Sequence, residues 1–273
     1  MIKVSNVNYH YAGSRHKVFE NFSVELTENR IYGLLGKNGT GKSTLLYLIC
    51  GLLHQQSGKI EVDGMESRKR NPKMLENIFF VPEEFDLPSI TLAEYVKLYS
   101  KFYPRFSQEV LDSCLRDFDL PLSLKLNALS MGQRKKVFVS FALAAGTRYL
   151  FMDEPTNGLD IPSKAQFRRV VANNMTDERT LIVSTHQVHD IEQLLEHILI
   201  LDHSSLLVNA SVADITDKYC FDFRSPQEMT DDVLYAEPTL QGNATISRRN
   251  KGDEETKFNL ELFFNAAVTG KLQ

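Results

Sequence analysis

Hydrophobic and polar positions first repeat with a period of two. Met1-Ile2-Lys3-Val4 opens strand-like, and Phe22, Val24 and Leu26 alternate with polar neighbours as in a half-buried strand. Ile31-Tyr32-Gly33-Leu34-Leu35 is a short apolar run, and a glycine-rich turn follows it. An apolar helical stretch is predicted over 42–50. Lys59-Ile60-Glu61-Val62 reads as a strand entering the turn Asp63-Gly64, and Ile78-Phe79-Phe80-Val81 as a buried strand. From about 91 to 146 the period becomes helical. There Thr91, with Glu94 three residues on, makes a capping box ahead of Tyr95, Leu98 and Phe102. Strand and helix then alternate: strand 149–152, helix 163–175, strand 181–184, helix 189–196 and strand 198–201.

This alternation predicts an α/β fold with a mostly parallel sheet covered by helices. The helical block, about 84–146, is an insertion into that core. A composition shift near Lys218 divides the chain into a main domain, 1–217, and an accessory segment, 218–273. The segment carries strand-like Cys220-Phe221-Asp222-Phe223 and Ala244-Thr245-Ile246-Ser247, a turn at Asn250-Lys251-Gly252-Asp253, and a final helix capped by Asn259. Leu260, Phe263, Phe264 and Ala267 fall at helical spacing. So short a piece hardly sustains its own core, so they are expected to pack on the main domain or on a second copy.

Composition narrows the function classes. The chain has 273 residues, 42% apolar and 24% charged, with a formal charge of −4. No basic excess points to nucleic acid or anionic lipid. The best apolar run, 45–53, falls short of the roughly 20 residues that span a bilayer, and no leader pattern is seen. Cys50, Cys114 and Cys220 have no metal or redox spacing and read as reduced, packed thiols of a cytoplasmic protein. Arg68-Lys69-Arg70 with Lys73 reads as a solvated loop.

Chemistry enters at Gly36-Lys37-Asn38-Gly39-Thr40-Gly41-Lys42-Ser43-Thr44, a P-loop with a strand before it and a helix after. Its glycines let successive N–H groups turn inward onto phosphate oxygens, and the helix N-terminus adds partial positive charge. Lys42 is expected to reach the β- and γ-phosphates, and the Ser43 hydroxyl to ligate Mg²⁺. Tyr149-Leu150-Phe151-Met152 ends in Asp153-Glu154, as a buried strand does when its tip faces metal and phosphates. Asp153 then suits Mg²⁺, and Glu154 is free to polarise the attacking water.

Leu129-Ser130-Met131-Gly132-Gln133 resembles the signature of ATP-binding-cassette (ABC) ATPases. Asp153-Glu154-Pro155-Thr156-Asn157-Gly158-Leu159-Asp160 is similar to their acidic motif and D-loop, Ser184-Thr185-His186 to their switch histidine, and Tyr11 to the aromatic that stacks on adenine. The resemblance covers roughly 1–215. It implies a P-loop NTPase core with an antiparallel β subdomain, the inserted helical subdomain and a small α+β appendage. It also implies that Ser130, Gly132 and Gln133 hold, in trans, the γ-phosphate of ATP bound by a second ATP-binding subunit, and that His186 helps position the water. A transmembrane permease subunit would complete the assembly, with the chain peripheral at the inner face of the cell membrane. The remaining histidines read as solvated or packed.

Two departures stand out. Glu83 occupies a position where the family usually has Gln, which touches Mg²⁺ and senses the permease; Glu84 adjoins it. Met131 replaces a signature glycine. The aromatics around 85–106 should mostly form the helical block's core, the rest lining a groove for a permease helix. The expected function is an ATPase powering an ABC transporter, an exporter by analogy with single-cassette drug, peptide or lipid exporters. A soluble ABC-type ATPase acting on ribosome or nucleic acid is the runner-up, but one motif set and no heptad arm disfavour it. A degenerate cassette acting as a binding module conflicts with the intact Lys42, Asp153, Glu154 and His186.

Overall fold

The computed structural model describes residues 1–240, 242–250 and 252–272. Strands β1 (Ile2–His10) and β2 (Lys17–Leu26) pair antiparallel, with Phe22, Val24 and Leu26 buried on one face as their alternation predicts. β3 (Ile31–Leu35) leads through the P-loop into α1 (Lys42–Ile49). β4 (Ser57–Val62) and β5 (Met65–Glu66) complete a four-stranded antiparallel sheet, ordered β2-β1-β4-β5. The short α2 (Pro72–Leu75) precedes β6 (Ile78–Val81).

The helical block contains α3 (Leu92–Tyr99), α4 (Gln108–Asp117) and α5 (Met131–Ala144). The capping box forms on α3, where Thr91 Oγ1 accepts from Glu94 N and the Glu94 carboxylate accepts from Thr91 N. β7 (Tyr149–Asp153), α6 (Ile161–Asn173), β8 (Thr180–Thr185), β9 (His197–Asp202) and β10 (Ser205–Ser211) follow. The second sheet is ordered β10-β9-β3-β8-β7-β6 and is parallel except for β10, which runs antiparallel to β9.

Because side chains alternate across a strand, the central strands feed two cores. Tyr149 and Phe151 pack towards α1 and the antiparallel sheet, while Leu150 and Met152 pack towards the helical block. After α7 (Val212–Lys218), a three-stranded sheet forms from β11 (Tyr219–Arg224), β12 (Val233–Thr239) and β13 (Gly242–Arg248), ordered β11-β13-β12. α8 (Leu260–Val268) closes the chain, with Asn259 Oδ1 accepting from Leu262 N at 3.0 Å. Leu260, Phe263 and Ile246 belong to the same buried cluster as Leu150, Ile191 and Ile198. The C-terminal apolar face is therefore covered by the rest of the chain.

Two expected elements differ. The helix read over 189–196 is a pair of 3-10 turns, Val188–Asp190 and Glu192–Leu194, broken at Ile191 (φ −129°). Eight residues are marginal for a helix, and tertiary bonds fix the segment instead. Lys164 pairs with Asp190 at 2.7 Å, Arg168 donates to Asp190 O at 3.2 Å, and Leu260 N donates to Glu192 at 2.8 Å. α6 begins at Ile161 because Asp160 caps it, accepting from Ser163 N at 2.9 Å, with proline in its first turn. The turn expected at 250–253 includes Lys251, which lies outside the described residues; Asp253 N donates to Asn250 O at 3.1 Å. Cys50, Cys114 and Cys220 are free and buried, and burial pushes the Cys114 thiol up to about 12.

Candidate functional site

The P-loop is drawn tightly between β3 and α1. A Cβ on Gly36 would lie 2.6 Å from both Leu201 O and Thr40 Oγ1, so the loop closes only over glycine. Gly41, at φ 99°, turns the chain into α1. The Lys42 ammonium is buried in the mouth of this loop, donating to Gly36 O at 2.8 Å and Lys37 O at 3.2 Å. Burial pushes its pKa down, while Glu154, Asp153 and Glu83 act in the opposite sense. Lys37, Asn38 and Gly39 are exposed at the rim, and Ser43 is half-buried in the first turn of α1. Tyr11 stands nearby with its ring partly exposed, its hydroxyl 2.8 Å from Thr44 Oγ1.

The acidic pair sits where two parallel strands end. β7 and β8 are in register, Asp153 opposite Ser184, and the Ser184 hydroxyl donates to the Asp153 carboxylate. The chain turns at Glu154, whose backbone is left-handed (φ 45°) and whose N–H donates to Ser184 O at 3.0 Å. Its buried carboxylate is fully engaged. Thr185 Oγ1 donates to one oxygen at 3.0 Å. His186 N donates to the other at 3.0 Å, and His186 Nδ1 lies 2.8 Å from it. The sequence reading brought Glu154 and His186 to one site but missed Thr185. Its only signal was a hydroxyl between the strand and the histidine.

Glu83 leaves β6 beside this pair and accepts from Asn157 Nδ2 at 2.8 Å, which ties it to the segment after Glu154. Glu83, Asp153 and Ser43 offer hard oxygen ligands of the kind Mg²⁺ takes. Among the described residues no group of three His, Cys, Asp or Glu side chains is poised to hold a metal ion alone.

The expected helix after Ser130 is α5, and Ser130 caps it. Ser130 Oγ accepts from Gln133 N at 3.3 Å, and Gln133 Oε1 accepts from Ser130 N at 3.1 Å. Met131 is exposed, with its methyl end against Gly158. Lys135, one turn into α5, is a second buried cation that sequence reading missed, because a lysine on a helix ordinarily reads as solvated.

Between the helical block and the segment formed by the end of α1, α2 and β6 runs a groove of about 690 Å³, lined by Leu52, Leu75, Phe80, Phe102, Tyr103 and Phe138 among others. Phe102 is 65% exposed there, whereas Tyr95 is buried in the block. The basic cluster is locally satisfied. Arg68 and Lys69 pair with Glu66, and Arg70 donates to Gly51 O at 3.0 Å. Among the described residues no helix is long and apolar enough to cross a membrane.

Known proteins resemble this chain closely. The family model described as ABC transporter matches residues 19–157. The chain is 31% identical over 214 residues to the zinc uptake system ATP-binding protein ZurA of Listeria monocytogenes, covering 73% of this chain and 81% of that protein. It is 29% identical over 212 residues to the bacitracin transport ATP-binding protein BcrA of Bacillus licheniformis, covering 76% and 68%. The dimeric post-hydrolysis structure of the ATP-binding cassette MJ0796, bound to ADP and phosphate, superposes with a TM-score of 0.67 at 25% identity, over 78% of this chain and 99% of that one. With a P-loop closed on a buried lysine and a carboxylate held at the tips of β7 and β8, the chain belongs to the ABC transporter family as its ATP-binding, ATP-hydrolysing subunit.

Proposed function

We propose that this subunit drives export through a separate permease, and that two ATP-binding subunits form each pair of hydrolytic sites. The observation that carries the catalytic reading is the hydrogen-bonded Glu154 carboxylate, set beside the Lys42 loop by Thr185 and His186. In this reading the P-loop N–H groups and Lys42 bind the phosphates, and Tyr11 stacks on adenine once it leaves Thr44. Glu154 takes the proton of the attacking water, and His186 holds that water and the γ-phosphate in line. Ser43, Asp153 and Glu83 would hold Mg²⁺, which supplies charge neutralisation at the phosphates. The first turn of α5, from Ser130 to Gln133, would serve the partner subunit's ATP, since a helix N-terminus favours an anion.

The 690 Å³ groove suits a short permease helix laid against Phe102 and its neighbours, at the inner face of the membrane. Residues 1–217 would be the motor and 218–273 an accessory segment. Relatives named for uptake and for bacitracin transport share the motor, so direction is the finer part of the proposal. Reconstitution with the permease tests it. ATP outside inverted vesicles should drive cargo into the lumen of an exporter. ATP-dependent cargo loss from the lumen, or ATPase stimulation by RNA or DNA instead of permease, would overturn it.

A further inference from the structure

Lys135 is 3% exposed, yet its ammonium has one acceptor among the described residues, Glu154 O at 3.1 Å. Three donors on a buried ammonium call for more than one carbonyl. It lines a cavity of about 180 Å³ with Glu83, Glu84, Phe85, Met131 and Arg134. Among the described residues it forms no contact ion pair, so its charge acts across this cavity. Burial pushes its pKa down, and the carboxylates that oppose that shift are Glu83 first, then Glu154, Asp153 and Glu84.

We propose that Lys135 is the counter-charge that lets Glu83 stand where the family usually has neutral Gln, a positioning residue that joins the first turn of α5 to the Glu83 and Glu154 loops. The proposal rests on the site reading above. The charge balance motivates it. Lys42, Lys135 and Arg134 face Asp153, Glu154, Glu83 and Glu84, which leaves one net negative charge where a polyphosphate must bind. Removing Lys135 alone leaves two, and removing Glu83's charge alone leaves none. Removing both leaves one again. The four sequences therefore make opposite predictions for nucleotide affinity, whereas a purely structural Lys135 would act alike in both backgrounds.

The test uses the purified full chain as parent, K135Q, E83Q and E83Q/K135Q, read by fluorescent ATP-analogue binding without Mg²⁺ and by thermal unfolding. K135Q should bind about tenfold more weakly and E83Q several-fold more tightly, while the double variant returns to within about threefold of the parent. Melting temperatures should be non-additive, with the double variant more stable than the sum of the single losses implies. A double variant that binds as weakly as K135Q, or E83Q affinity equal to the parent's, overturns the proposal. If K135Q does not fold, recovery of folding and binding in E83Q/K135Q supports the proposal, and failure of the double variant to recover overturns it. K42A is the control. Unchanged binding in K42A would sink the site reading, whereas binding lost in K42A with no coupling between 83 and 135 sinks only this inference.

Discussion

Replacing Glu154 by Gln isolates its chemistry from its packing. One carboxylate oxygen receives His186 N and faces Nδ1, and the other receives the Thr185 hydroxyl. A glutamine can keep its carbonyl oxygen towards His186 and turn its amide towards Thr185. Thr185 Oγ1 already accepts from Gln187 N at 2.9 Å and retains a second lone pair for that amide. Only the Thr185 hydroxyl proton loses its acceptor, and the remaining bonds change from charge-assisted to neutral, about 1–3 kcal/mol of stability in all. The proton acceptor is nevertheless gone, which costs about 10²–10⁴ in turnover for a general base. Glu154→Gln should therefore fold, bind ATP within about threefold of the parent and nearly lose steady-state phosphate release. The assay pairs single-turnover hydrolysis with nucleotide binding on the same preparation. Turnover within tenfold of the parent would refute the base role, and loss of ATP binding would refute the hydrogen-bond argument.

Lys42→Ala should instead weaken ATP binding itself, by equilibrium titration, because the ammonium lies inside the loop that would cradle the phosphates. Glu154→Gln with saturating ATP should double the mass seen by light scattering, since nucleotide bridging two subunits favours the dimer by mass action. Phe263→Ala, at a side chain 2% exposed, should cost about 3–5 kcal/mol and lower the melting temperature by roughly 10 °C, with ATP affinity unchanged. Phe102→Asp in the open groove should change stability by less than about 0.5 kcal/mol while abolishing stimulation by the permease in proteoliposomes.

Much of the motor was legible because its signals are local. A glycine-rich loop between strand and helix, an apolar run ending in two acids, and Thr91 with Glu94 each state their geometry within a few residues. What escaped depends on distant contacts. β10 alternates exposed with merely half-buried positions and β12 is half-buried along 233–237 and contains Pro238, so neither carries a buried apolar face for its sequence to announce. The 3-10 turns after His186 are held by Lys164, Arg168 and the backbone of α8, which no window around Ile191 reveals. Lys135 looks like any helix-surface lysine until the Glu83 loop and the backbone of Glu154 are folded over it. Lys42, Asp153, Glu154 and His186 were thus singled out in sequence, and the buried charge of Lys135 was not.

The backbone at Glu154 has a consequence for how such a subunit drifts. A side chain held at φ 45° costs of order 1–3 kcal/mol, and asparagine tolerates that backbone better than glutamate. Laboratory evolution that scores only heat resistance or expression would accordingly enrich asparagine at position 154. Its winners would be sturdy chains that bind nucleotide and do no work, so any screen for hardier versions of this subunit has to count transported cargo as well as surviving protein.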